Sequence, residues 1–145
     1  MSEKPTQKAG AIVLSSKNKN NIGIIFRFRQ NDWSFPKGHT EGIESALETL
    51  KREMLEETNL EIEVIKALPD LNYINVGGES VSVKMFLAES KDDSKYKPEF
   101  DGDQIKWVSY NKVTDKLTYE NLKEYFNFIL PIVKKQILEK IDMRK

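Results

Sequence analysis

Three glutamates in the middle of the chain have a spacing that could bring their carboxylates together. Glu53, Glu56 and Glu57 occupy positions i, i+3 and i+4, which share one face of an α-helix. Adjacent anions repel each other and weaken a helix unless something offsets the repulsion. Carboxylate oxygens are the ligands that hard cations such as Mg²⁺ prefer. Taken alone, the trio indicates either a solvated acidic face or a cation site.

The composition restricts the remaining chemistry. The 145 residues carry 23 basic and 23 acidic side chains, so no overall basic field favours indiscriminate binding to nucleic acid. The absence of cysteine excludes disulfides and cysteine-based metal sites, leaving oxygen ligands and one histidine. The length fits one domain over residues 1–145. Because no signal segment or run of about 18 apolar residues occurs, we expect a cytoplasmic protein that does not enter membranes.

A loop followed by a helix is predicted to carry the glutamates. The loop begins near Lys37, and Gly38 within it permits either a tight turn or a close approach to a ligand. Ser45 and Glu48 form a capping-box pattern, so the helix is predicted to begin at Ser45. Asn59 tolerates the left-handed conformation that follows helix ends. The apolar stripe expected to contact the sheet comprises Ala46, Leu47, Leu50 and Met54.

Extended segments are predicted on both sides of this loop and helix. Arg27 and Arg29 alternate with phenylalanines, which sends both arginines to one face of a strand. That face is either exposed sheet or a contact with substrate phosphate. Residues 1–8 are expected to form a flexible tail. Short apolar or alternating stretches between turn residues predict strands over residues 9–15, 22–29, 33–35, 62–67, 71–76, 81–88 and 105–110.

The last third of the chain is predicted to contain a loop and two helices. The charged segment 90–103 carries Pro98 and Gly102 and predicts a mobile loop near a binding edge. Helices are expected over residues 111–117 and 119–141, the second interrupted or kinked at Pro131. The side chains expected to anchor the long helix on the sheet are Tyr125, Phe126, Phe128, Ile129 and Ile132.

The central stretch resembles the signature of the Nudix hydrolase family. The Nudix box reads G-x5-E-x7-R-E-U-x-E-E-x-G-U, with U an aliphatic residue. The family's final glycine is Asn59 here, for which we expect a small loss of stability and no loss of activity. The resemblance implies the Nudix α/β fold, an α/β/α sandwich with a mixed β-sheet, the Nudix loop-helix and C-terminal helices. The matching positions are Gly38, Glu44, Arg52, Glu53, Met54, Glu56, Glu57 and Leu60.

The resemblance also implies a role for each box residue. Glu44 would support the metal site, and Arg52 would hold the carboxylates through ion pairs. The general base would be a box glutamate, with Glu53 the first candidate, or a carboxylate from the later loop. The loop candidates are Glu99, Asp101 and Asp103. The implied ligands of one or more Mg²⁺ or Mn²⁺ ions are Glu53, Glu56, Glu57 and the Gly38 carbonyl.

The implied reaction is water attack on phosphorus in a nucleoside diphosphate linked to a further group. Trp33 with FPKGH, LNY and FLAE is similar to dinucleoside polyphosphate hydrolases, although Met85 stands where these often carry an aromatic residue. In that interpretation Tyr73 stacks on a base or only packs in the core. The side chains expected at phosphates are Arg27, Arg29, Lys37, His39 and Lys84.

Other substrates remain open at this point. The segments PEFDG and KWVSY, within residues 98–110, are similar to bacterial RNA 5′-pyrophosphohydrolases. We therefore expect a dinucleoside polyphosphate such as diadenosine tetraphosphate, with the RNA 5′ end and then oxidised nucleoside triphosphates as alternatives. A non-catalytic nucleotide-sensing domain is a further alternative, although such domains commonly lose box carboxylates that this chain keeps. The oligomeric state is not indicated by the sequence.

Overall fold

A mixed β-sheet forms the centre of the molecule. The computed structural model describes the backbone of residues 4–143 and the side chains of residues 4–139, and within that range eight strands form one sheet. In chain order the elements are β1 (Thr6–Leu14), β2 (Asn21–Arg27), β3 (Asp32–Ser34), β4 (Lys37–His39), α1 (Ala46–Thr58), β5 (Ile62–Ala67), β6 (Leu71–Ile74), β7 (Ser80–Ser90), a 3₁₀ helix (Asp93–Lys95), β8 (Gln104–Ser109), α2 (Val113–Lys116) and α3 (Glu120–Met143).

The two longest strands, β1 and β7, run parallel to each other in the middle of the sheet. The other strand pairs are antiparallel. The outer edge of β1 has two partners, because β4 pairs with Lys8–Gly10 and β2 pairs at Leu14. The edge of β7 is divided in the same way between β6 and β5. The predicted α/β class and the mixed sheet are confirmed.

Alternation along β1 separates two cores, one on each side of the sheet. Ala11 and Val13 belong to the core that contains Leu50 and Met54 of α1. Ile12, between them, belongs to the other core, because successive side chains of a strand point to opposite faces. That second core is closed by helix side chains that include Val113, Leu122, Phe126, Ile129, Val133 and Ile137. Helices therefore cover both faces, as the α/β/α sandwich requires.

Several predicted segments differ from the observed ones, among them the long helix, which runs from Glu120 to Met143 without interruption at Pro131. Residues 6–8 lie in β1 rather than in a flexible tail, because β4 and β7 supply hydrogen-bonding partners there. Residues 1–3 of that tail lie outside the described part of the chain. Residues 37–39 form β4 rather than open loop, again through pairing with β1. The strand β2 ends at Arg27, so Arg29 lies in the following turn. The prediction that both arginines share one face of a strand was therefore wrong.

Several side chains also differ from their predicted environments. Leu47, in the first turn of α1, is 43 % exposed, whereas Thr49 is buried. Phe128 is 71 % exposed because it stands two positions from buried Phe126, on the opposite side of a helix. The predicted mobile loop is partly ordered, since buried Asp93 binds Ser15 and accepts from the Ser16 amide at 3.0 Å. None of the helices within residues 4–143 combines the length and apolarity needed to cross a membrane.

Candidate active site

The helix α1 is fixed at both ends by hydrogen bonds. At the start, Ser45 Oγ accepts from the Glu48 amide at 3.1 Å, and the Glu48 carboxylate accepts from the Ser45 amide at 3.0 Å. At the end, Asn59 adopts a left-handed φ of 60° and its side-chain amide donates to the Lys95 carbonyl at 3.0 Å. The predicted cap and the predicted helix end are both confirmed. Because both ends of the helix are fixed, the positions of Glu53, Glu56 and Glu57 on its face are fixed as well.

Arg52 connects the loop before α1 to the glutamates on the helix. A guanidinium has five N–H donors, and the structure gives Arg52 five hydrogen bonds. Its Nε and Nη2 donate to Glu44 at 2.8 and 3.0 Å, and Nη2 also donates to the His39 carbonyl at 2.8 Å. Its Nη1 donates to Glu53 at 3.0 Å and to Glu56 at 3.1 Å. The guanidinium is therefore saturated by groups of the candidate site.

This network explains the charge states around Arg52. Hydrogen bonds from Arg52 lower the pKa of Glu44 to about 2, and the bond to Glu44 raises the pKa of Arg52 itself. Both groups are consequently charged across the physiological range. Arg52 also forms an ion pair with Glu56, one turn along the helix, whereas the Glu48 carboxylate caps the start of the helix.

Gly38 lies directly against Glu53. A Cβ atom at Gly38 would overlap the carboxyl group of Glu53, and Gly38 itself is buried in β4. The glycine is thus required by a close approach and not by a turn, because its φ is not in the left-handed region. Of the two alternatives that the sequence left open, the structure favours close contact with the site.

Replacing Gly38 with alanine is expected to displace Glu53 at modest cost to the fold. The group that the new methyl meets is the end of a flexible side chain, which can rotate away. We expect kcat/KM to fall about 10²-fold, as for small displacements of reacting groups, with a small drop in the thermal unfolding midpoint. Gly77→Ala is the matched control, because its Cβ would meet no atom nearer than 3.5 Å. Full activity of Gly38→Ala would contradict a role for this contact.

Two adjoining cavities lie beside the sheet, and Glu57 lines the smaller of them, which has a volume of about 190 Å³. Burial, together with the charge of nearby Glu53, raises the pKa of Glu57 to about 8. Burial likewise raises the pKa of Glu53. Two carboxyl groups that resist ionisation here call for a compensating positive charge. The residues lining the smaller cavity are Arg27, Arg29, Gln30, Lys37, Glu57, Glu99, Phe100 and Asp103.

The three box glutamates do not converge on one point. Among the described residues, no three carboxylate or imidazole side chains are arranged as a metal site. Arg52 holds one oxygen each of Glu53 and Glu56, and Glu56 is 49 % exposed, whereas Glu57 points to the smaller cavity. The donor chemistry nevertheless suits a hard divalent cation, which takes carboxylate and carbonyl oxygens.

A larger cavity of about 550 Å³ lies next to the smaller one and shares two of its residues, Arg27 and Lys37. Burial, followed by the charges of Arg27 and Lys8, lowers the pKa of Lys37 to about 8. A cluster of cations that repel each other favours an anionic ligand. The residues lining the larger cavity are Lys8, Arg27, Lys37, Tyr73, Ile74, Asn75, Val76, Tyr119, Glu120, Asn121 and Leu122.

Asp32 fixes the side chain of Arg27 between the two cavities. The Arg27 guanidinium donates to both oxygens of Asp32, at 2.8 and 2.5 Å, and Tyr119 donates its hydroxyl to the same carboxylate at 2.6 Å. Asp32 is 1 % exposed. Burial raises the pKa of Asp32, but the hydrogen bonds from Arg27 and Tyr119 outweigh it, so the pKa lies below its usual value. The pair therefore remains charged.

The structure groups some of the predicted residues and separates others. Arg27, Arg29, Lys37, Glu99 and Asp103 line the smaller cavity with Glu57, and Tyr73 lines the larger one. The remaining candidates outside the box line neither cavity; these are Lys84, which is 2.7 Å from Asp70, exposed His39, and Asp101 in a surface turn. Of the box residues, only Glu57 lines a cavity.

The residues of the site that the sequence did not predict include Lys8, Asp32 and Tyr119. Lys8 was assigned to a tail, although the alternation of β1 already extends to it. Asp32 stands five residues after Arg27 across a hairpin, a spacing that could have predicted a cross-strand ion pair. Tyr119 reaches Asp32 from the other end of the chain, and no local pattern indicates that contact.

Solved structures with the same fold come from bacteria and an animal. A C. elegans Ap4A hydrolase superposes with a TM-score of 0.76 at 18 % identity, over 90 % of this chain and 98 % of that one. A Nudix hydrolase from M. smegmatis, RenU, gives 0.73 at 13 %, over 90 % and 86 %. A MutT Nudix hydrolase from Burkholderia pseudomallei gives 0.69 at 18 %, over 86 % and 98 %. At these identities the likeness concerns the fold.

The family assignment comes from the sequence itself. The model of the NUDIX domain family matches residues 4–128, which covers β1 to β8, α1, α2 and the first part of α3. That range includes the complete box and both cavities. The chain therefore belongs to the Nudix family and is a Nudix pyrophosphohydrolase.

Proposed function

We propose that this enzyme hydrolyses a dinucleoside polyphosphate such as diadenosine tetraphosphate, with Mg²⁺ as its divalent cation. The observation that carries the proposal is the pair of adjoining cavities. One is partly aromatic and large enough for a nucleoside, the other is lined by the box carboxylate Glu57 and the loop carboxylates Glu99 and Asp103, and Arg27 and Lys37 line both. A polyphosphate chain that begins at a nucleoside would run along these two cations.

The larger cavity supplies the features of a nucleoside site. Tyr73 is half-buried on β6 and presents an aromatic ring, while Tyr119 is held by its hydrogen bond to Asp32. Aromatic rings bind nucleobases by stacking, at about 1–3 kcal/mol for each base. The apolar side chains of Ile74 and Val76 at the rim are exposed, which leaves the entrance open to a ligand.

Arg27 and Lys37 are the proposed phosphate ligands. The Arg27 guanidinium is already oriented by Asp32, so little side-chain entropy is lost when it binds an anion. The lowered pKa of Lys37 reflects burial beside other cations, and a phosphate anion would reverse that repulsion and keep the ammonium charged. Lys8 adds a third positive charge on the side of the larger cavity.

The groups that would hold a divalent cation are Glu57, Glu53, Glu56 and the Gly38 carbonyl. When bound, such a cation neutralises phosphate oxygens and lowers the pKa of a water molecule. Arg52 orients Glu53 and Glu56, and its saturation by Glu44 and the loop keeps it in place. Glu53 remains the first candidate for the proton acceptor, with Glu99, which lines the smaller cavity, as the candidate from the loop.

A comparative assay tests the substrate. The protein is incubated with Mg²⁺ and diadenosine tetraphosphate, 5′-triphosphate RNA, 8-oxo-dGTP or ADP-ribose, and kcat/KM and products are measured. We expect the highest kcat/KM for diadenosine tetraphosphate, with ATP and AMP as products. Faster release of pyrophosphate from RNA would instead assign the enzyme to RNA 5′ ends. The cytoplasmic location expected from the sequence stays a prediction.

A further inference from the structure

Two exposed phenylalanines lie at the smaller cavity: Phe100 lines it, and Phe28 lies against Gly102 in the same loop. Phe28 is 61 % exposed and Phe100 is 42 % exposed, and neither belongs to the buried cores. The Arg29 guanidinium lies over the Phe100 ring, 4.4 Å from its centroid. We refer to Phe28, Arg29 and Phe100 as the aromatic rim. Exposed rings beside a charged cleft provide an apolar surface that a ligand in the cleft can cover.

The rim is built by specific contacts between two distant segments. The Phe28 amide donates to Asp103 at 2.9 Å, and the Asp103 amide donates to the Phe100 carbonyl at 3.1 Å. Gly102, with φ of +92°, lies so close to Phe28 that a Cβ atom would overlap its ring. The loop after the 3₁₀ helix is thereby fastened to the turn after β2. Both rings are held in place before any ligand binds.

The rim and the larger cavity adjoin the same two cations. Phe100 and Arg29 line the smaller cavity, Tyr73 lines the larger one, and both cavities share Arg27 and Lys37. The smaller cavity, at about 190 Å³, has room for phosphate groups but cannot also enclose a nucleoside. A substrate that extends beyond it would therefore pass over the rim.

We propose that the aromatic rim is a stacking platform for the second nucleobase of the substrate. This inference rests on the proposed function, in which the first nucleoside occupies the larger cavity. Both the Phe100 ring and the Arg29 guanidinium are flat groups on which any nucleobase can stack. Gln30, beside them in the cavity wall, offers an amide donor and acceptor to the edge of a base. The rim would thus distinguish dinucleoside from mononucleoside polyphosphates.

The test compares two substrates that differ only in the second nucleoside. For the wild type and for Phe100→Leu, kcat/KM is measured with diadenosine tetraphosphate and with adenosine 5′-tetraphosphate. We expect Phe100→Leu to lower the ratio of the two values about tenfold, the loss that corresponds to one base stack. Phe100→Tyr keeps a ring and is expected to retain the ratio. Phe128 is another exposed phenylalanine and lines neither cavity. Phe128→Leu is therefore the control for replacing an exposed phenylalanine with leucine.

The outcomes separate this inference from the proposed function. If Phe100→Leu lowers kcat/KM equally for both substrates, or leaves both unchanged, the rim does not bind the second base, although the proposed function stands. If the wild type hydrolyses diadenosine tetraphosphate no better than the other nucleotides, the proposed function and the inference both fail. A thermal unfolding curve of each variant shows whether a loss of activity reflects misfolding. If Phe100→Leu is misfolded, Phe28→Leu takes its place and is expected to lower the same ratio of kcat/KM values, whereas Phe100→Tyr is expected to retain it.

Discussion

Glu57→Gln is expected to abolish hydrolysis that depends on a divalent cation while leaving the fold intact. Glu57 is the box glutamate that faces the smaller cavity, next to Arg27 and Lys37. Glutamine has nearly the same shape but neither the charge that binds a hard cation nor an oxygen that can accept a proton. We expect kcat/KM to fall at least about 10²-fold, the effect of removing one strongly placed electrostatic group. Steady-state kinetics with Mg²⁺ or Mn²⁺ measures it.

The same substitution is expected to stabilise the protein in the absence of metal. Burial raises the pKa of Glu57 from 4.5 to about 8. Stability then decreases as pH rises from about 4.5 to about 8, because the unfolded chain releases a proton that the folded chain retains. Glutamine does not ionise and so does not cause this loss of stability. The thermal midpoint of Glu57→Gln should therefore exceed that of the wild type at pH 8 in EDTA. Below pH 4 the two midpoints should agree.

Glu61→Gln is the control for Glu57→Gln, because its carboxylate is 72 % exposed and lies 3.7 Å from Lys91, away from both cavities. Its activity and its thermal midpoint should match those of the wild type. Turnover by Glu57→Gln at the wild-type rate would show that the cation is held without this carboxylate. An unchanged midpoint at pH 8 would show that Glu57 is ionised at little cost in the folded protein.

Local signals in the sequence predicted local structure well. The Ser45 and Glu48 pattern located the start of α1, and Asn59 located its end, because both depend on hydrogen bonds within a few residues. The box residues were assigned by their match to the family's signature, and the Arg52 network lies within residues 39–56. These features need no information from the rest of the fold.

Contacts between distant segments set the limit of the prediction. Residues 6–8 look like a polar tail until β7 pairs with them, and Tyr119 becomes part of the site only through Asp32. The alternation of Phe26 to Arg29 continued in the sequence after the strand had ended. Arg29 nevertheless reaches the smaller cavity, because the turn after β2 folds towards the loop that carries Phe100.

The three box glutamates do not converge on one point because the positive charge of Arg52 attracts two of them. Glu53 and Glu56 share the Nη1 group of Arg52, the nearest positive charge available to them in the protein alone. Spacing predicts which carboxylates share a helix face, but side-chain rotamers follow the strongest charge nearby. A divalent cation would compete with Arg52 for these oxygens, whereas Glu57, which has no bond to Arg52, already faces the cavity.

Arg27→Gln is expected to have the second large effect on activity. Arg27 stands in the wall between the two cavities and presents a guanidinium that can bind two phosphate oxygens at once. Its loss should lower kcat/KM about 10²-fold or more, since charged donors aimed at a substrate contribute on this scale. It should also lower the thermal midpoint, because Asp32, which is 1 % exposed, would lose the cation that neutralises it.

A double variant separates these two consequences. Asp32→Asn removes the buried charge that Arg27→Gln leaves unpaired, so Arg27→Gln combined with Asp32→Asn should regain most of the lost thermal midpoint. Its kcat/KM should remain as low as that of Arg27→Gln, because the phosphate ligand is still absent. Asp32→Asn alone should have an intermediate kcat/KM, with a raised KM, since Arg27 keeps its charge but loses its orientation. If the double variant recovers wild-type turnover, Arg27 acts only by neutralising Asp32, and the phosphate must be bound by Lys37 and Lys8.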